Sequence, residues 1–292
     1  MIIEQLLLAR YFYMPSIIDI KQLCWHIDHK TILDNVSLTI DKGNFVGVIG
    51  VNGSGKTSLL RSIYRVLKPT SGQVHINGEE IWRQSSIEVA KQIAVVSQST
   101  TPLPYQVRDV IAMGLIPHKK LFEQTSAQDK QQINLAIEQL DLAHLKTNNF
   151  DTLSGGEQQR VLIARALVQL DYQGDLHNRL LVMDEPTNHL DIHYQIDLLK
   201  RVKQLGCTVL VSLHDLNMAS AHCDEIILID QGKIIAKGTP KAVLTPQIIS
   251  DVYQVEVDVI AHPRHQRPHL LFSEKKVSET KISEKIGSVS ND

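Results

Sequence analysis

The chain has 292 residues, the length of one large domain or two modest ones, ample to bury a core. Hydrophobic residues at 43% and charged residues at 21% exclude a disordered, collagen-like or coiled-coil chain. Lys and Arg number 30 against 32 Asp and Glu, a formal charge of −2, so no global basic field points to nucleic acid and any polyanion must be gripped locally.

Asp19 to Ile27 and Val36 to Ile40 read as short alternating strands, and Phe45 to Ile49 as a buried strand entering a glycine-rich turn. A helix is expected from Lys56 to about Leu67, stopped by Pro69. Gln73 to Ile76 and Ile93 to Ser97 follow as strands, with Asn77-Gly78 as a hairpin turn. From Val107 to Leu145 the apolar spacing turns helical, with Ile133, Ala136, Ile137 and Leu140 on one face. Beyond Arg160 helices (Val161 to Leu170, Tyr194 to Leu205) alternate with strands (Leu180 to Met183, Thr208 to Leu213, Glu225 to Asp230), which predicts a parallel sheet flanked by helices. The polar stretch 273–292 is expected to be a disordered tail.

No apolar run reaches the ~18–20 residues of a membrane span, and Met1 to Arg10 carries Glu4 without a basic leader or cleavage site, so the cytosol is the expected compartment. Cys24, Cys207 and Cys223 have no Cys-x-x-Cys spacing and read as small buried apolar residues.

Gly50-Val51-Asn52-Gly53-Ser54-Gly55-Lys56-Thr57 stands between a predicted strand and a predicted helix, the setting that the phosphate-loop pattern G-x-x-x-x-G-K-[ST] requires. Its glycines let backbone N–H groups converge on phosphate oxygens. The helix start, continuing through Ser58, adds partial positive charge, Lys56 reaches the β- and γ-phosphates, and Thr57 offers a hydroxyl to Mg²⁺. Leu180 to Met183 then delivers Asp184 and Glu185 at a strand end, the first suited to hold Mg²⁺ through water and the second to face an attacking water. Ser154-Gly155-Gly156-Glu157 is another anion-binding helix start, with Ser154 as N-cap.

With its neighbours, Leu153-Ser154-Gly155-Gly156-Glu157-Gln158-Gln159-Arg160 resembles the signature sequence of the ATP-binding cassette (ABC) ATPases, placed between phosphate loop and acidic strand as that family requires. The resemblance spans about Ile17 to Phe272 and implies an α/β P-loop NTPase fold. Such a fold has a RecA-like parallel-sheet core, a small antiparallel β subdomain and a helical subdomain, the last at about 99–160 here. The boundaries expected are an N-terminal extension 1–16, the cassette 17–272 and the tail 273–292.

The same resemblance implies ATP and Mg²⁺ as cofactors. Gln98 matches the glutamine that senses Mg²⁺ and water, Asn188-His189-Leu190-Asp191 the loop crossing the dimer interface, and His214 the histidine that contacts the γ-phosphate. Glu185 would polarise water, while Lys56 and the signature glycines neutralise developing charge. Ser154, Gly155 and Gly156 would reach the nucleotide of a second subunit in a head-to-tail homodimer. The family usually places an aromatic residue, stacked on adenine, where this chain has Ile27. Stacking by Trp25 instead would need a local shift of the strand.

Ala112 to His118, containing Gly114-x-x-Pro117-His118, is similar to the importer branch for iron chelates, haem and cobalamin, as are His214 to Ala219 and His262 to Phe272. That branch implies two permease subunits, an external substrate-binding protein acting indirectly, no nucleic-acid partner, and a peripheral place on the cytoplasmic face of the inner (plasma) membrane. Iron–siderophore ranks first as the ligand, with haem and cobalamin behind. The alternative is a soluble ABC ATPase acting on ribosomes or nucleic acid. Tandem cassettes or a long coiled-coil insertion usually mark such proteins, and this chain has one cassette and a short helical insertion.

His189 and His193 lack the Glu of a zinc-protease motif, and His262, His265 and His269 read as a solvated turn. Met1 to Tyr13 matches no family element: either translation begins at Met14 or the segment is a loosely held apolar helix.

Overall fold

The computed structural model describes residues 16–97, 103–172, 174–188 and 190–274. The expectations about 1–15, Gln98, His189 and 275–292 lie outside these described residues.

The chain opens with the antiparallel pair β1 (Ser16–Ile27) and β2 (Lys30–Asp41), turned at Asp28-His29. Both strands run longer than their apolar alternation suggests, because register shifts near Leu23 and Trp25 interrupt the period of two while the pairing continues. β3 (Phe45–Ile49), buried at every residue, leads through the glycine-rich loop into α1 (Lys56–Ile63). This helix stops short of the expected Leu67. Arg65 takes a left-handed φ of 65°, and Val66 N–H returns to Arg61 C=O, a Schellman-type ending four residues before Pro69.

β4 (Ser71–Ile76) and β5 (Glu79–Glu80) meet at Asn77-Gly78, both at positive φ as the two-residue hairpin turn demands. α2 (Ser86–Gln92), absent from the expected elements, starts on a capping box of Ser85 with Glu88. β6 (Ile93–Val96) follows. The helical stretch from Val107 to Leu145 is four pieces: α3 (Val107–Ala112), a 3₁₀ segment at Met113–His118, α4 (Ala127–Gln139) and a 3₁₀ turn at Ala143–Leu145. The break falls at Gly114 and Pro117, both unfavourable to continued α-helix.

α5 (Gly155–Leu170), β7 (Leu180–Met183), α6 (Ile192–Lys203), β8 (Thr208–Ser212), α7 (Leu216–His222) and β9 (Glu225–Asp230) give the alternation expected. Beyond them stand elements not anticipated: β10 (Lys233–Gly238), α8 (Pro240–Val243), α9 (Pro246–Tyr253) and the hairpin β11 (Glu256–Ala261) with β12 (Pro268–Ser273).

The central sheet has the order β10-β9-β3-β8-β7-β6 and is parallel apart from β10. A smaller antiparallel sheet has the order β2-β1-β4-β5. Alternate residues of the central strands feed two cores. Leu181, Met183, Val209 and Val211 face the helical layer of α3, α4 and α5, whereas Leu180, Val182 and Leu210 face α1 and the antiparallel sheet. The loops at the carboxyl ends of β3, β7 and β8 therefore converge at one edge, where a doubly covered parallel sheet places its site.

Candidate functional site: a phosphate loop facing an acidic strand end

The loop from Gly50 to Gly55 has the conformation of a phosphate cradle. Gly53 and Gly55 hold φ of 78° and 109°. Gly50 is pressed against β9, where a Cβ would stand 2.1 Å from Ile229 C=O, so no other residue fits. Lys56 is 5% exposed, and its ammonium donates to Gly50 C=O (2.9 Å) and Val51 C=O (3.1 Å). Burial lowers its pKa, and the carboxylates of Glu185 and Asp184 oppose that shift. Asn52, Gly53, Gly55, Lys56, Thr57 and Ser58 line a pocket of about 280 Å³ with Glu185, while Ser54 is buried beneath the loop.

Across the loop lies the end of β7. Asp184 Oδ1 accepts from Thr57 Oγ1 at 3.3 Å and from Ser212 Oγ at 2.7 Å. Ser212 Oγ in turn accepts the Glu185 N–H at 2.8 Å. Glu185 sits at a left-handed φ of 51°, uncommon for a residue with a side chain, so the carboxylate is aimed by a constrained backbone. His214 Nε2 lies 2.5 Å from Glu185 Oε1, and Asn188 Nδ2 donates to Oε2 at 2.7 Å. The strand end thus joins two carboxylates, a histidine and an amide to the lysine loop, an arrangement that can bind phosphates, hold a hard cation and orient a water.

Ser154 caps α5 in a full capping box: Glu157 Oε2 accepts from Ser154 N–H (2.8 Å) and Oγ (2.7 Å), while Ser154 Oγ accepts the Glu157 N–H. These bonds hold the Glu157 carboxyl below its usual range, the side-chain bond to Ser154 contributing most. Ser154 and Gly155 are exposed, and with Gly156 they stand apart from the residues lining the lysine pocket. Leu190 and Tyr194 lie against this helix start, a Cβ on Gly156 standing 3.6 Å from the tyrosine ring. Exposed Asp191 is the N-cap position of α6.

Two contributors escaped the sequence reading. Ser212 ties Asp184 to Glu185, and its signal is a hydroxyl inside the otherwise apolar β8. Tyr253 on α9 hydrogen-bonds the Gly50 backbone, and burial raises its pKa. Trp25, half-buried, packs against the core beneath the antiparallel sheet, while Ile27 is 47% exposed. Among the described residues no group of three His, Cys, Asp or Glu is arranged to hold a metal ion. His262 and His265 instead stack with ring centroids 3.9 Å apart in the β11–β12 turn.

Residues 33–188 match the family described as ABC transporter. The ferric enterobactin transport ATP-binding protein FepC of Escherichia coli (strain K12) is 37% identical over 248 residues, 83% of this chain and 89% of that protein. The chain belongs to the ABC transporter family. The hemin import ATP-binding protein HmuV of Bordetella avium (strain 197N) is 38% identical over 240 residues, covering 80% of this chain and 91% of its own length.

Among solved cassettes, the ADP conformation of MJ1267 superposes with a TM-score of 0.70 at 26% identity, over 82% of this chain and 99% of that one. A dimeric post-hydrolysis state of MJ0796 bound to ADP and Pi does so with 0.65 at 27%, over 76% and 98%. The expected P-loop fold is borne out, with its RecA-like core, antiparallel β subdomain and helical layer. The ABC chain is an ATPase of a family that binds ATP and works as dimers with transmembrane permease subunits. Among its described residues no helix is long and apolar enough to cross a membrane.

Proposed function

We propose that this chain is the ATP-hydrolysing subunit of an ABC importer that takes up an iron–siderophore complex. The reading is carried by the relatives, whose names specify ferric enterobactin and hemin import. Support also comes from Gly114-x-x-Pro117-His118, whose Gly114 and His118 both close onto α5. A Cβ on Gly114 would stand 2.3 Å from Arg165 C=O, and His118 Nε2 donates to Gln169 C=O at 2.7 Å. Haem is the second reading, favoured by the 38% identity to the hemin protein. In the importer, two copies meet head to tail beneath two permease subunits on the cytoplasmic face of the inner membrane. An external binding protein delivers the ligand, and no nucleic acid takes part.

The chemistry is hydrolysis of ATP by a positioned water. Lys56 and the backbone donors of Gly53 to Ser58 hold the phosphates and neutralise charge that grows toward the transition state. The Thr57 hydroxyl and Asp184 carboxylate, 3.3 Å apart, are hard oxygen donors that fit Mg²⁺, with Gln98 as a third. An ion held by these residues would supply positive charge to offset that of the phosphates. Glu185 takes the proton of the attacking water, and His214 and Asn188 fix its two oxygens beforehand. His214 faces the γ-phosphate, and Ser154, Gly155, Gly156 and Asp191 face the nucleotide held by the second copy. ATP that favours the closed dimer shifts the permease between outward and inward access.

The experiment is co-purification of tagged Glu185→Gln protein from native membranes with Mg-ATP, followed by mass spectrometry, with uptake of labelled ferric siderophore and haem measured in a strain lacking the chain. A polytopic permease and loss of siderophore uptake are expected. Recovery of ribosomal or DNA-associated proteins would overturn the importer reading, and selective loss of haem uptake would replace the ligand.

A further inference from the structure

Helix α5 runs from the exposed Gly155 start to Leu170. One residue before its end, the Gln169 side chain leaves the helix and spans to the core: Nε2 donates to Ala90 C=O at 2.6 Å and to Ile93 C=O at 3.0 Å. Ala90 lies in the last turn of α2, where helix carbonyls have no intrahelical partner, and Ile93 opens β6 at the edge of the central sheet. One amide therefore joins the helical layer to two neighbouring elements of the core. On the other side, the Gln169 carbonyl accepts His118 Nε2, and the His118 ring stacks on Tyr172 with centroids 4.2 Å apart. Gln169 also lines a groove of about 610 Å³ floored by Trp82, Val89 and Val95, so it can be reached from outside the fold.

We infer that Gln169 is a positioning residue: a pivot pin that sets the angle of α5 and so the placement of the Ser154–Gly156 start against the nucleotide of a second copy. The inference rests on the reading above in which that helix start completes the partner's site. At 1.5 Å per residue the pin lies roughly 21 Å from Gly155, so a tilt of about 10° at Gln169 moves the helix start by about 4 Å, more than a hydrogen bond tolerates. The two bonds are to main-chain carbonyls on separate elements, which confine the angle more than either alone.

The test uses the full chain. Gln169→Met keeps the bulk and removes the donors, whereas Gln169→Lys keeps a donor within reach of the carbonyls. Fluorescent ATP-analogue binding to the separate subunit reports the phosphate loop. ATP-driven dimerisation in a Glu185→Gln background, together with kcat in the otherwise native chain, reports completion of the composite site. For Gln169→Met the expectation is analogue affinity within about twofold of wild type, at least a tenfold rise in the ATP needed to dimerise, and a tenfold fall in kcat, each largely restored in Gln169→Lys.

Wild-type dimerisation and kcat in Gln169→Met overturn the inference. So does loss of analogue binding along with them, since the residue would then hold the fold rather than the angle, and so does failure of Gln169→Lys to restore either readout. Ser154→Arg separates the two levels. Dimerisation that survives Ser154→Arg overturns the reading of the helix start, and the inference with it; dimerisation lost there yet intact in Gln169→Met overturns the inference alone.

Discussion

Glu185 and His214 are joined through Oε1 and Nε2 at 2.5 Å, while Asn188 holds the other carboxylate oxygen at 2.7 Å. Both carboxylate oxygens are thus oriented by protein side chains. Glu185→Gln keeps the shape and one acceptor but cannot take a proton. ATP turnover is expected to fall by ~10²–10⁴, the span that a positioned general base contributes. ATP affinity should stay within a few-fold, because the phosphates are held by Lys56 and the loop. Steady-state phosphate release with equilibrium ATP binding checks this, and wild-type-like hydrolysis would remove Glu185 from its role.

Ser212 connects the two acidic residues, accepting the Glu185 N–H and donating to Asp184, and it is fully buried. Ser212→Ala leaves a buried backbone donor unpaired and takes a bond from a buried carboxylate, a loss of ~1–3 kcal/mol. The expected result is a lower melting temperature together with weaker Mg²⁺ dependence of ATP binding, since Asp184 and the constrained Glu185 backbone both lose their tether. A variant with unchanged thermal unfolding and unchanged Mg²⁺ titration would show the serine to be dispensable.

The sequence exposed the chemistry more fully than the fold. Gly50 to Thr57, Ser154 to Glu157 and Asp184-Glu185 are local patterns whose geometry follows from their own backbone, so each is legible in isolation. Ser212 and Tyr253 act through partners 28 and about 200 positions away, and no local pattern links them to Asp184 or Gly50. The same holds for boundaries. The end of α1 at Ile63 depends on a left-handed Arg65 that propensity disfavours, and β1 continues through register shifts that erase the alternation by which a strand is read. The late hairpin was hidden because its strands carry exposed apolar residues such as Ile260, Leu271 and Phe272, and its order comes from α7, to which Arg267 and Asn217 tie it.

Asp129 of α4 makes stability depend on acid. Its carboxylate is fully buried, an environment that raises its pKa, but bonds to Lys119 (2.6 Å) and Ser126 outweigh burial and leave it below the ordinary value. A depressed pKa means that the unfolded chain binds the extra proton more readily, so the contribution is complete above the unfolded value of about 3.9 and is lost as pH falls through the folded one. Denaturation of wild type and Asp129→Asn from pH 7 to pH 3 should show a stability difference that is constant at neutral pH and narrows below about pH 4. A difference of constant size across that range would mean that the pair does not titrate with unfolding.

Ile27 closes β1 and pairs across the turn with Lys30, a residue that lines the phosphate-loop pocket, yet it presents no ring to a base. Trp25, two residues earlier, is occupied by packing on the core. Nucleotide binding should therefore draw mainly on the phosphates, with KM values for ATP and GTP within about threefold of each other, the phosphate contacts being common to both. Ile27→Tyr supplies an aromatic face beside the pocket, and base–aromatic stacking of ~1 kcal/mol or more would lower KM for ATP by about fivefold. Because stacking is made equally in ground and transition states, kcat should not move. Michaelis–Menten curves for both nucleotides on both proteins decide the matter. A wild-type preference for ATP beyond tenfold would mean that edge hydrogen bonds, and not a ring, select the base, and an Ile27→Tyr protein with unchanged KM would place the base away from the end of β1.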